Sequence, residues 1–236
     1  MSDIFTVMWK EWKDSLFQGG WRAWIRPSLL MGIVGIIWPL VGKAAWMDLS
    51  PLQMVVVLWV EFFVVISIVA DSFAGERERH TLETLLATRL PDRAILLGKV
   101  AIVVLYGWGV LVVSLLLGAG VCNLAYGQEH SIFYPADMLS FTLVLGLLIG
   151  TFGAGAGVLL SLRSSTVRMV QATLSIGTVV LGGAIIALLQ LLPKWFFQTF
   201  TTDQILLMVA GIIALLDILL VAIAMLRFQR TKLIAR

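Results

Sequence analysis

Long apolar runs and short polar breaks alternate along this chain with the spacing of helices that cross a membrane. Six runs, at 27–45, 52–70, 95–124, 138–162, 169–192 and 204–226, each come near the ~20 residues that carry a helix through ~30 Å of hydrocarbon. The third is long for one span and is expected to tilt or to project from the surface. Ahead of them, Phe5, Met8, Trp9, Trp12 and Leu16 recur at helical spacing, while Lys10, Glu11, Lys13 and Asp14 fall mostly off that stripe. Gly19 and Gly20 interrupt the pattern, and Trp21, Arg22, Trp24 and Arg26 then form the aromatic and basic mixture favoured at a membrane interface. The pattern predicts an all-α, polytopic integral membrane protein in two parts. Residues 1–26 form an amphipathic helix lying on the membrane surface, against the protein's own loop, or both; residues 27–236 form a six-span domain.

Composition supports the membrane class and excludes a soluble domain: 60% of the 236 residues are hydrophobic, 13% are charged, and the mean hydropathy is +0.99. The opening residues do not read as a signal peptide, because Asp3, Glu11 and Asp14 interrupt them and no uncharged apolar core precedes a small-residue cleavage site. With the amino terminus in the cytoplasm, fifteen of the 17 Lys and Arg residues fall on the inner side, leaving only Lys43 and Lys194 outside. Both termini are therefore expected to be cytoplasmic. The outer connections are correspondingly poor in charge. The 125–137 connection reads as a lid or short surface helix, and the stretch from Pro193 through Trp195 to Phe197 as a re-entrant or interfacial one.

Charge is concentrated between 71 and 99, where Glu76, Arg77, Glu78, Arg79, Glu83, Arg89, Asp92, Arg93 and Lys99 predict a water-facing loop. Its residues have an internal order. Thr81 is placed to cap a short helix, Glu83 lies in its first turn, and Leu82, Leu85 and Leu86 form one apolar stripe. Pro91 ends that helix, and Asp92 or Pro91 itself begins the next.

Gly75, Glu76, Arg77, Glu78, Thr81, Leu82, Glu83, Leu85, Leu86, Pro91, Leu97, Gly98 and Lys99 together resemble the cytoplasmic loop between the second and third spans of the type-2 family of ATP-binding-cassette permeases. His80 stands where many members of that family have a small residue. The resemblance implies that the loop supplies a coupling helix, with Gly75, Glu76, Arg77, Glu78, Thr81, Leu82, Glu83, Leu85 and Leu86 facing a cytoplasmic ATPase present in two copies. It also implies a second permease, the same chain or a homologue, a prokaryotic cytoplasmic membrane, and an opening connecting helix. ATP and Mg would belong to the partner, and this chain would bind no cofactor and catalyse nothing itself. By the same resemblance the path lies along the second and fifth spans, whose exposed groups include Trp59, Glu61, Ser67, Gln171, Thr173, Ser175 and Thr178. That mixture suits lipid-like, peptide or drug cargo, haem as in cytochrome-maturation exporters, or an ion.

What the chain lacks agrees with an energy source on another chain. There is no GxxxxGK[ST] phosphate loop, no HExxH and no GxSxG, and His80 and His130 fall on opposite sides of the expected membrane. Cys122 is alone, so an internal disulfide is excluded. Nucleic acid is not an expected partner. Glu61 is the ionisable group most worth following inside a span, with Asp217 after it, and each has a packing reading beside the functional one. Glu61 also sustains the alternative of a secondary transporter or ion-coupled carrier, although no inverted repeat is visible. Gly146, Gly150, Gly153 and Gly157 in the fourth run predict close helix packing, within the chain or in a dimer.

Overall fold

The computed structural model describes residues 2–17, 20–48, 50–78, 91–127, 133–162, 164, 166–191 and 200–227, and among them it contains helices and no strand. Helix α1 covers Ser2–Phe17 and α2 covers Gly20–Gly32; α2 passes through a π-helical turn, Ile33–Ile37, into α3, Trp38–Gly42, and a 3-10 segment, Lys43–Asp48. Helix α4, Pro51–Ala70, continues through a second π-helical turn, Asp71–Gly75, into the single turn α5, Glu76–Glu78. Then follow α6, Asp92–Tyr126; α7, Ala136–Ser161; α8, Val167–Leu191; and α9, Thr202–Arg227.

The boundaries have local causes. Ser50 and Gln53 form a reciprocal capping box ahead of α4, with Pro51 at its first position, where a missing N–H costs nothing. Pro91 and Pro135 hold extended backbone immediately before α6 and α7, and Asp92 and Asp137 place a carboxylate in each first turn. The expected start at Pro91 and Asp92 is the observed one.

Among the described residues, four helices are long and apolar enough to cross a membrane: Gln53–Gly75, Asp92–Tyr126, Ala136–Ser161 and Thr202–Arg227. The first expected span is shorter as an apolar helix, Pro27–Gly42, because it turns into the 3-10 segment at Lys43, whose φ of 56° is unusual for a residue with a side chain. The fifth is helical from Val167 to Leu191, with a described apolar stretch at Val167–Val180. Helix α6, at 35 residues, is about 52 Å long at 1.5 Å per residue, well beyond ~30 Å of hydrocarbon. Its surplus length has a use: Ala94, Ile95, Leu96, Gly98 and Lys99 near its start are buried, and α1 packs there.

One expectation is corrected. The water-facing loop does not begin at Asp71: the chain stays helical to Glu78, and Phe73, Ala74 and Gly75 are buried. Lys99, at the other end of the expected loop, is inside α6 and fully buried. Charged residues can continue a buried helix here because they find partners within the chain. Thr81, Leu82, Glu83, Leu85 and Leu86 lie outside the described residues, as do His130 and the stretch from Pro193 to Phe197.

Helix α7 sits between α4 and α9. Gly146, Gly150, Gly153 and Gly157 all face α4, opposite Glu61, Phe62, Val65 and Val69, while Gly155 faces Leu220 of α9. The glycine pattern is thus used within the chain. In lipid, apolar side chains gain little by leaving their surroundings, so close van der Waals approach between backbones is what holds such helices. On its far side α4 meets α8 through Ile66, Ala70 and Ala74 against Val170 and Leu174. Helix α9 buries little besides Asp217 and Ala224, and it presents Leu215, Ile218 and Leu226 outward. At the end of the bundle away from α1, Tyr134 donates a hydrogen bond to the Leu115 carbonyl at 3.1 Å and Trp46 stacks on Trp38. Burial pushes the Tyr134 phenol up to about 12.

A side chain at Gly157 would overlap Val69, whereas one at Gly109 meets nothing within 4 Å. Gly157→Leu is therefore expected to lower stability by about 1–3 kcal/mol through overpacking. Gly109→Ala should be neutral or stabilising by up to about 1 kcal/mol through helix propensity. Thermal unfolding of the two variants in detergent reads the opposite signs.

Candidate functional site

Three segments that are far apart in sequence meet around the ammonium group of Lys99. On α1, Val7 and Glu11 stand four residues apart and so share one face. Val7 lies against Gly98 of α6, where a Cβ would sit 2.8 Å from the valine Cβ and 3.1 Å from the Ile4 carbonyl oxygen. Only glycine permits that approach, and the approach brings the Glu11 carboxylate to the residue after it.

Lys99 Nζ lies 3.0 Å from Glu11 Oε1 and 2.8 Å from Glu76 Oε1, and it donates to the Ser72 carbonyl at 2.9 Å and to Ser72 Oγ at 3.2 Å. The Ser72 hydroxyl in turn donates to Glu11 Oε2 at 3.1 Å. The Phe73 ring centroid is 5.3 Å from the ammonium nitrogen, close enough for a cation–π contribution. Lys10, more exposed, bridges the same two carboxylate oxygens at 3.2 and 3.3 Å. Two ammonium groups and two carboxylates give no net charge, so the cluster can sit among apolar helices. For Glu11, burial alone would raise the carboxyl pKa; Lys99 first and Lys10 second, by charge and by hydrogen bond, outweigh it and hold the value below the ordinary 4.5.

Glu78 extends the brace. Its Oε1 accepts the backbone N–H of Val167 at 2.8 Å, which satisfies one of the unpaired amides at the start of α8 and opposes the helix dipole. Gly75 fits closely beneath, with its pro-Cβ position 2.7 Å from Asp71 Oδ1 and 3.6 Å from the Val167 side chain. The Gly75 to Glu78 segment is thereby tied to α1, α6 and α8 at once. Glu76 and Glu78, which the sequence places at the rim of a partner, have partners inside the chain.

Of the residues expected to line a path, the structure does not bring the set together. Glu61 is fully buried and points between α6 and α7, while Trp59, on the other face of α4, is exposed and stacked on Phe63 with centroids 6.2 Å apart. Ser67 donates to the Phe63 carbonyl, Thr173 to that of Met169 and Thr178 to that of Leu174, so each hydroxyl is turned back onto its own helix. Gln171 and Ser175 are half-buried on α8, which meets α4 through apolar side chains. Asp217 is buried on α9, and among the described residues neither its carboxyl oxygens nor those of Glu61 have a hydrogen-bond partner.

Lys10, Glu11 and Ser72 are members of the cluster that sequence reasoning did not single out. The amphipathic reading put Glu11 off the functional stripe, whereas Phe5 and Trp9 are the exposed side chains and Val7 with Glu11 is the docking face. The available signal was the spacing of Val7 and Glu11 set against Gly98 and Lys99. No protein-family model matches the chain, and comparison with curated proteins and with solved structures likewise finds no match.

Two outcomes are expected. Lys99→Met should cost about 3–5 kcal/mol, the range for stripping one partner from a buried ion pair. Lys10→Met, removing a group whose side chain is 43% exposed, should cost ~1 kcal/mol or less. Hydrogen exchange across α1 measures both. Because the folded Glu11 pKa is depressed, its contribution to α1 docking is complete above 4.5 and is lost as the pH falls through the lower folded value. Protection of α1 amides should accordingly hold at neutral pH and collapse in acid, and Glu11→Gln should flatten that dependence.

Proposed function

We propose that this chain is the membrane-spanning permease subunit of an ATP-binding-cassette exporter, with six spans, both termini in the cytoplasm and its energy supplied by a separate ATPase. The assembly pairs two such half-units, the same chain twice or a homologue, with two ATPase copies in a prokaryotic cytoplasmic membrane. One observation carries the reading beyond the loop resemblance. The Gly75 to Glu78 segment, from which the proposed coupling stretch departs, is held to α1, α6 and α8 by Lys99, Lys10 and the Val167 amide.

A force applied to residues 79–90 would therefore enter the bundle through a rigid base. A loosely attached loop would dissipate it. Leu82, Leu85 and Leu86 would fill an apolar cleft on the ATPase, with Arg77 and Glu83 setting orientation by charge at the rim, where ion pairs contribute specificity more than affinity. A second reading, an ion-coupled carrier, is favoured by the buried Glu61 carboxyl, which has no hydrogen-bond partner among the described residues.

Replacing Leu82 and Leu85 together by Asp should leave the helices inserted and α1 docked, yet release the ATPase on copurification or uncouple its hydrolysis from cargo movement. A doubly substituted chain that still copurifies and transports normally would sink the lever.

A further inference from the structure

We infer that Glu61 is a proton-binding site built into the centre of the bundle, so that opening of the seam between α4 and α7 exchanges a proton with water. This rests on the reading of the chain as a transporter and names the ion that the site would take.

The niche is made by absence of side chains. A Cβ at Gly146 would lie 2.7 Å from Glu61 Oε2, one at Gly150 would lie 3.4 Å from Oε1, and one at Gly107 of α6 would lie 3.5 Å from the glutamate Cγ. Three glycines on two helices thus leave the volume that the carboxyl occupies. Val65, Val104 and Leu111 close the remainder of the wall. Glu61 itself is fully buried, and neither oxygen meets a hydrogen-bond donor among the described residues.

The buried hydroxyls of Ser114 on α6 and Thr142 on α7 are turned onto their own helices: Ser114 donates to the Val110 carbonyl and Thr142 to that of Met138. Charged and titratable groups on the surrounding helices are also turned away or distant. On α6, Lys99 is eight residues from Gly107, ~12 Å along the helix, and is held by Glu11 and Glu76; Asp92 and Arg93 are farther. Tyr106 packs edge-on against Trp12 of α1. On α7 the nearest is Asp137, nine residues from Gly146 and ~14 Å along the axis. Helix α8 offers Arg168 in its first turn, and Asp217 belongs to α9, which packs on α7 at the face carrying Gly155, opposite the seam.

Size and chemistry then select the ligand. A bare carboxylate at this depth, without a counter-charge, is strongly disfavoured. Calcium and magnesium take six or more oxygen ligands, and among the described residues no group of three His, Cys, Asp or Glu side chains is placed to hold one. The niche leaves no room for an organic cation. A proton needs one oxygen and no added volume. In the closed seam it forms an O–H bond with Glu61; when α4 and α7 separate, that bond breaks and the proton passes to a water molecule, leaving a carboxylate that is reprotonated before the seam can close.

The test uses the purified full chain in liposomes. Infrared spectroscopy at neutral pH should show a carboxylic-acid C=O band that is present in the wild type and in Asp217→Asn and is lost in Glu61→Gln. A hydrophobic carbodiimide should modify the wild type, and mass spectrometry should place the adduct on Glu61, which needs no variant to fold. Absence of the band and of the adduct in the wild type overturns the site, whatever the chain transports. If both are present, the reconstituted complex with its ATPase should acidify pyranine-loaded liposomes during turnover and lose that signal in Glu61→Gln. Turnover with no proton movement overturns the exchange while leaving the exporter reading standing. That reading falls separately, on the leucine substitutions.

Discussion

An ammonium group without solvent access, surrounded by helices rich in Val, Leu and Ile, is tolerable only when its charge is answered at hydrogen-bond distance, and this requirement organises one end of the molecule. Lys99 needs Glu11 from α1, Glu76 from the extension of α4, and the Ser72 carbonyl between them. These acceptors come from two segments, α1 and the extension of α4. Satisfying one lysine therefore fixes α1, the extension of α4 and the start of α6 relative to one another. Gly98 makes this possible, since any side chain there would hold α1 away and leave Glu11 short of its partner.

Charge bracing at that end contrasts with the packing farther along the bundle. Between α4 and α7 the contact consists of glycines facing Val65, Val69, Phe62 and the Glu61 carboxyl, with no ion pair and no interhelical hydrogen bond to Glu61 among the described residues. Such an interface is close but undirected: shape alone holds it, and separating it breaks no electrostatic bond. The same carboxylate chemistry thus appears in two roles. Glu11 and Glu76 are anchored by two lysines each, and Glu61 is accommodated without a partner.

This division bears on how the protein would work as a permease. Under the proposed reading, motion delivered near Glu78 would reach α1, α6 and α8 through their polar contacts, and the glycine seam, which lacks such contacts to Glu61 among the described residues, is where the helices would part. The exposed aliphatic face of α9 and the aromatic face of α1, with Phe5 and Trp9 outward, suit lipid contact.

Several features were legible from residue order alone because they depend on local or additive physics. Apolar runs of span length marked the four long helices described, Pro91 marked where α6 begins, and the four spaced glycines do form one packing face. Other features were decided only by tertiary contact. The stretch from Asp71 to Lys99 reads as solvent-facing because its charges are counted singly; it is partly buried because Lys99, Glu76 and Glu11 neutralise one another across 88 residues of sequence. Likewise, Glu11 reads as the solvated side of an amphipathic helix, and only the closeness of Gly98 turns that side inward. Burial cost is a property of a charge together with its partners. A sequence lists the charges, and the fold chooses which of them meet.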